Sequence, residues 1–161
     1  MRCGLGIDVH AFADASAGRP LMIGGVEVPN DRGLDGHSDA DVLAHAIADA
    51  LLGAARIGDI GRLFPDDDPE YEGADSLVLL ARCAEAIGEA GFRIVDVDSV
   101  VCAQAPKLSP YRDEMRKRLA EAMGTCVDNV GVKATTTEHL GFEGREEGIS
   151  AYATCLLERG E

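Results

Sequence analysis

Gly4, Gly6, Asp8 and His10 stand at every second position of the first apolar segment. In a strand, residues two apart share a face. One face of such a strand therefore begins without side chains and ends in a carboxylate and an imidazole. Bare glycine suits a place where another backbone or a ligand comes close. A second imidazole, His45, lies on a helix expected to start near Ser38, where Ser38-x-x-Asp41 is a capping signature. That helix carries two opposed stripes: Leu43, Ile47 and Leu51 toward a core, and Asp41, His45 and Asp49 on the other side. Asp8, His10 and His45 form a ligand set for a catalytic zinc with an open fourth position.

The remaining pattern predicts strands over 3–10, 21–28, 92–102, 130–136 and 149–157. Gly24-Gly25 interrupts the second as a bulge or a tight turn. A helix is expected from Asp75 or Ser76, with Leu77, Leu80, Ala81, Ala84 and Ile87 inward, ending at Gly91. Another starts at Ser109-Pro110, with Tyr111, Met115 and Leu119 at helical spacing. In β-rich 92–102, Val95, Val97 and Ser99 are expected on one face. The turn-rich stretch 56–74 is long enough to be functional. The order predicts an α/β (α+β) sandwich: a single mixed sheet with helices on one face, and one domain over residues 1–161.

The formal charge of −14 argues against binding nucleic acid through its phosphates and against docking on anionic lipid. An anionic small molecule stays admissible, because bound cations reverse the local field. No apolar run is long enough to span a membrane. No leader is expected, because Gly4 to Ala13 already reads as structure. The five cysteines form no Cys-x-x-Cys pair, which points to reduced thiols and a cytoplasmic protein. Aromatic residues make up only 4%, so stacking platforms for bases are not expected.

Other segments carry chemistry. Gly36-His37-Ser38-Asp39 sits where the first helix is expected to begin, and helix N-termini bind phosphate. Thr135-Thr136-Thr137-Glu138 ends a strand with hydroxyls and a carboxylate suited to phosphate and Mg²⁺. Ala103 to Ser109 joins a strand to a helix in a close turn whose backbone groups can read a base edge, with Lys107 available to phosphate. No nucleophile elbow or Walker loop is present.

Taken together these segments closely resemble the 2-C-methyl-D-erythritol 2,4-cyclodiphosphate synthases of the non-mevalonate isoprenoid pathway. The matching runs are Gly4-x-Gly6-x-Asp8-x-His10-x-Phe12, Gly36-His37-Ser38-Asp39-x-Asp41, Leu51-Leu52-Gly53-Ala54-Ala55 and Gly58-Asp59-Ile60-Gly61-x-Leu63-Phe64-Pro65-Asp66. Ala103-Gln104-Ala105-Pro106-Lys107 and the run from Lys133 to Gly148 complete them, in order along nearly the whole chain. The resemblance implies a cytoplasmic homotrimer with shared sites. It implies Zn²⁺ on Asp8, His10 and His45, and Mg²⁺ or Mn²⁺ on Glu138 with the substrate. Its substrate is cytidine diphosphate-linked. His37 and Thr136 would act at the reacting phosphates, with Ser38, Thr135 and Thr137 beside them. Asp59 and Gly61 would contact the erythritol part, and the segment Phe64, Pro65, Asp66, Asp67 and Asp68 would help enclose it. Ala103, Gln104, Ala105, Pro106, Lys107, Leu108 and Ser109 would form the cytosine pocket, and Val9, Ile60 and Ala134 would be further substrate-binding residues. Phe142 and Arg145 would lie near the trimer axis or the phosphates. His139, Cys3 and Arg56 depart from the family pattern without touching an expected ligand. The implied reaction is cyclisation with release of CMP. A zinc-dependent phosphohydrolase, with Asp49 as base, is the alternative.

Overall fold

Strand β1 (Arg2–Ala11) keeps the expected alternation. Gly4, Gly6, Asp8 and His10 turn toward the helices, while Leu5, Ile7 and Val9 turn to the open side. In the computed structural model, a Cβ on Gly4 would stand 1.9 Å from the carbonyl oxygen of Ala50, and one on Gly6 1.9 Å from that of Ala46. Any side chain there would lift the helix off the strand. The structure describes residues 1–65, 69–71 and 73–160, so Asp66, Asp67 and Asp68 lie outside the described residues.

That helix is α1 (Val42–Ala55), and it begins later than the Ser38 signature predicts. Asp41 is the N-cap, accepting hydrogen bonds from the amides of Leu43 (3.2 Å) and Ala44 (3.0 Å). Ser38 Oγ instead accepts from the Ala40 amide at 3.1 Å, and Ala40 turns the chain through a left-handed φ of 58°. Asp41 therefore leaves the polar stripe and is fully buried. The apolar stripe is as expected: Leu43, Ile47 and Leu51 are sealed in the core.

Strands β2 (Leu21–Ile23) and β3 (Val26–Val28) form a hairpin with Gly24 and Gly25 as its two turn residues, at φ 58° and 73°. Those angles require glycine. The hairpin is a separate two-stranded sheet, which corrects the expectation of one sheet. Helix α2 (Ile60–Leu63) is a single turn, followed by α3 (Ser76–Glu89). Leu80 and Ile87 face inward as expected, but Leu79 and Cys83 share the buried face while Leu77 and Ala84 are only half-buried. Strand β4 (Phe92–Cys102) carries an irregularity in register between Ile94 and Asp96. This takes Val95 out of the row formed by the buried Val97, Ser99 and Val101.

Helix α4 (Arg112–Met123), strand β5 (Val130–Thr135), the short helix α5 (Gly141–Gly144) and strand β6 (Gly148–Arg159) complete the order. The main sheet runs β1-β6-β4-β5, with β6 antiparallel to both neighbours and β5 parallel to β4. Strands β1, β4 and β5 therefore point the same way. Their C-terminal ends, at His10, Cys102 and Thr135, gather at one edge. All three long helices cover one face. On the other, Leu5 (65% exposed), Ile7 (50%), Val9 (49%) and Tyr152 (38%) form a strip, with Ile7 and Tyr152 directly opposed. Among the described residues no helix is long and apolar enough to cross a membrane.

Candidate metal centre and active site

The glycine half of β1 lets α1 settle close enough for His45 to reach the end of the strand. Asp8 Oδ2 lies 2.9 Å from His10 Nε2 and 3.1 Å from His45 Nδ1, and the two nitrogens are 3.3 Å apart. A tetrahedral zinc with bonds of about 2.0–2.1 Å sets neighbouring donors about 3.3 Å apart. The three atoms thus have the dimensions of one face of that tetrahedron, and the donor chemistry fits. His10 Nδ1–H donates to the Asp35 carbonyl at 2.6 Å, which leaves Nε2 for the ion. His45 turns its Nε2 away, toward Ser76 Oγ at 2.9 Å and Ser38 Oγ at 3.3 Å.

The cluster opens into a cavity of about 280 Å³, walled further by Gly36, His37, Ser38, Ile60, Gly61, Phe64, Pro65, Tyr71 and Leu79. The Phe64 and Tyr71 rings meet edge to face at 5.2 Å. Asp49, on the same helix side as His45, accepts a hydrogen bond from the Ile60 amide at 2.8 Å and so fixes the Ile60–Gly61 wall. Asp59 lines nothing here: its carboxylate caps α2 through the Arg62 amide at 2.9 Å. His37 and Ser38 stand upstream of α1, not at its first turn. That turn is closed by the Asp41 carboxylate, so the expected phosphate site on free helix amides does not form there.

A second cavity, of about 390 Å³, lies at the ends of β4 and β5. It is lined by Ala103, Gln104, Pro106, Lys107, Leu108, Ser109, Ala134, Thr135 and Thr136. Strand pairing closes it, with the Ala103 amide donating to the Thr135 carbonyl at 3.0 Å. Gln104 Oε1 accepts from the His139 amide at 3.1 Å, which ties the following loop to its rim. Thr136 Oγ1 donates to Glu138 Oε1 at 3.1 Å, and Glu138 and His139 both hold left-handed φ angles, 53° and 61°. The two cavities share no lining residue. Strands β1 and β5 are three inter-strand spacings apart, about 14 Å.

The model of the YgbB family matches residues 1–158. This chain belongs to the YgbB family. The 2-C-methyl-D-erythritol 2,4-cyclodiphosphate synthase of Syntrophobacter fumaroxidans is 57% identical over 157 residues, covering 98% of this chain and 97% of its own. Among solved structures, the bifunctional IspDF of Campylobacter jejuni superposes with a TM-score of 0.94 at 41% identity, over 99% of this chain but only 42% of that one. The IspF of Plasmodium falciparum, in a CDP complex, gives a TM-score of 0.85 at 32% identity, over 99% and 97%.

Within this YgbB-family chain, several expected site residues stand apart from both cavities. Val9 points to the open face, because the period of two that unites Asp8 and His10 turns it away. Ala105, Thr137, Glu138, Phe142 and Arg145 line neither cavity. Arg145 pairs with Glu147 at 2.8 Å on the surface. Tyr71, Ser76 and Leu79 were not foreseen as site residues, and their one sequence signal is position, in or just beyond the long turn-rich stretch; Asp39 was noted only as part of the segment Gly36 to Asp39.

Electrostatics prepare the cluster for a cation. Burial works to raise the Asp8 carboxyl, but hydrogen bonds and charge from His10 and His45 hold it well below the usual carboxylate range. Burial works to lower His10, but the hydrogen bond and charge of Asp8 raise it above its ordinary value. In the metal-free chain, the stability contributed by His10 is complete below about pH 6.5 and lost as pH rises through the raised folded value. That from Asp8 is present above about pH 4 and lost as pH falls through its depressed value. Zinc must displace the His10 proton. Zinc affinity is therefore expected to fall about tenfold per pH unit once pH drops below the raised His10 value. Chelator competition between pH 5.5 and 8 reads this directly. A flat profile would contradict proton competition at His10.

Proposed function

We propose that this chain is a metal-dependent cyclase. It converts 4-diphosphocytidyl-2-C-methyl-D-erythritol 2-phosphate into the 2,4-cyclodiphosphate with release of CMP, in the cytoplasm, as one-domain subunits of a homotrimer. The observation that carries the reading is the Asp8, His10 and His45 triangle, sized for zinc, at the mouth of a cavity walled by His37 and Ser38. Family membership and the CDP complex of a similar structure support the substrate class. Five free cysteines are compatible with a reducing compartment.

An oxygen of the 2-phosphate forms a bond to the β-phosphorus. The bond from that phosphorus to the bridging oxygen breaks, and CMP leaves with the electron pair. No protein nucleophile is needed. The barrier is repulsion between anions and their positioning. Asp8, His10 and His45 would hold Zn²⁺ and Glu138 would hold Mg²⁺ or Mn²⁺, which would supply positive charge to the phosphate oxygens. His37 and Ser38 orient the phosphates, and Thr135 and Thr136 do so from the other cavity. Ile60, Gly61, Phe64 and Pro65 enclose the methylerythritol. The Ala103–Ser109 turn receives cytosine, with Lys107 toward phosphate. Asp49, the candidate base for a hydrolase, accepts the Ile60 amide through one carboxylate oxygen.

Two features support the assembly, the exposed apolar strip and the separation of the two cavities. The apolar strip of Leu5, Ile7, Val9 and Tyr152 asks for a partner surface, and a second copy supplies one. The zinc half and the cytidine half of one site then come from neighbouring subunits, with Glu138 travelling with the cytidine half. His45→Ala and Glu138→Ala should each be inactive. Unfolded together in equal amounts and refolded as mixed trimers, they should regain about a quarter of wild-type turnover, because each site pairs halves drawn at random from two subunits. A mixture as inactive as its parents would overturn the shared site.

A further inference from the structure

The zinc reading leaves open how His45 is made to present Nδ1 rather than Nε2. Two arrangements of protons are available to this ring. In one, Nδ1–H donates to Asp8 and the Ser38 hydroxyl donates to Nε2. In the other, Nε2–H donates outward and Nδ1 is free to bind an ion. Only the second suits a metal ligand.

A carboxylate beyond the ring decides between them. Ser76 Oγ makes a short hydrogen bond to Asp39 Oδ1, and the Ser76 amide donates to Asp39 Oδ2 at 3.2 Å. An ionised carboxylate has no proton to give, and a hydroxyl has one. The Ser76 proton is therefore committed to Asp39, and only its lone pairs face His45. With Ser76 Oγ at 2.9 Å, His45 Nε2 must be the donor. The competing Ser38 hydroxyl is farther, at 3.3 Å, and its proton has another acceptor in Ser76 Oγ at 3.5 Å. Ser76 is 1% exposed, so water does not compete.

We propose that Asp39 and Ser76 are positioning residues for the metal centre, a carboxylate–hydroxyl–imidazole chain that holds His45 as its Nε2–H tautomer. The chain also links the metal to the substrate loop. The Asp39 amide donates to the Ala74 carbonyl at 3.1 Å and the Gly73 amide to the His37 carbonyl at 2.8 Å. The residues that orient His45 therefore also clamp the end of the loop leading into α3.

The inference rests on the zinc reading, and one experiment separates the two. Zinc alone is titrated against a chelator for wild type and Ser76→Ala, and the His45 ring is followed by ¹⁵N-edited NMR. Loss of such a partner costs about 10–100-fold in metal affinity. Ser76→Ala should weaken zinc binding at least about tenfold, with the circular dichroism spectrum unchanged. In zinc-loaded wild type, the His45 Hε2 proton should be visible and shielded from exchange; in the variant it should be lost to solvent. Equal zinc affinity in the variant, or an unprotected Hε2 proton in wild type, overturns the relay while leaving the zinc site intact. A wild-type protein that binds no zinc removes both.

Discussion

Replacing His45 with alanine is expected to strip zinc from the protein and reduce turnover at least about a thousandfold, a loss of about 4 kcal/mol in transition-state stabilisation. Three protein donors would meet at this ion, and the sites of catalytic zincs need all three to leave the fourth position to substrate. The fold should survive. The ring of His45 touches Asp8, His10, Ser38 and Ser76 rather than the core, whereas α1 is held by Leu43, Ile47 and Leu51. Elemental analysis should fall from about one zinc per chain to near zero, with the circular dichroism spectrum retained. An unchanged zinc content would mean that the ion sits elsewhere.

The largest effect on stability is expected at Asp41. Its carboxylate is wholly buried and accepts four backbone amides from two elements: Gly24 (2.8 Å) and Gly25 (2.6 Å) in the hairpin turn, and Leu43 (3.2 Å) and Ala44 (3.0 Å) in α1. It is both a helix cap and a staple between hairpin and helix. Alanine would leave those donors without partners in the interior, at about 1–3 kcal/mol each before relaxation. We expect Asp41→Ala to destabilise by about 4 kcal/mol, a large share of the 5–15 kcal/mol typical of a domain. Denaturant unfolding should show the midpoint falling with the slope unchanged. A loss below about 1 kcal/mol would mean that water or a neighbour takes over the four amides.

Asp41 also marks the limit of what the sequence reveals. Its spacing from His45 and Asp49 places it on a polar stripe, and the helix period is right. What the spacing lacks is the hairpin that comes back to donate Gly24 and Gly25. The strand pattern was more legible, because Gly4 and Gly6 announce a close approach that depends only on β1 and α1. Alternation correctly joined Asp8 to His10, and the same alternation sends the Val9 side chain to the open face, so that its expected contact with substrate falls to its backbone. His10 and His45 were readable as ligands because each needs only its own element's period. Ser76 and Asp39 were not. Their partnership exists only once the stretch 56–75 folds back on 37–39, a closure that no local periodicity encodes. The expected helix start at Ser38 failed for a related reason: Ser38 looks like a cap, and Asp41, three residues on, has the better geometry.

The cyclase reading predicts a particular product, and phosphorus NMR observes it without any variant. Wild-type protein with zinc, Mg²⁺ and the cytidylyl substrate should give CMP and two mutually coupled diphosphate resonances from the closed ring. Inorganic phosphate as the main product, with no cyclic species, would contradict the account and assign this site to hydrolysis.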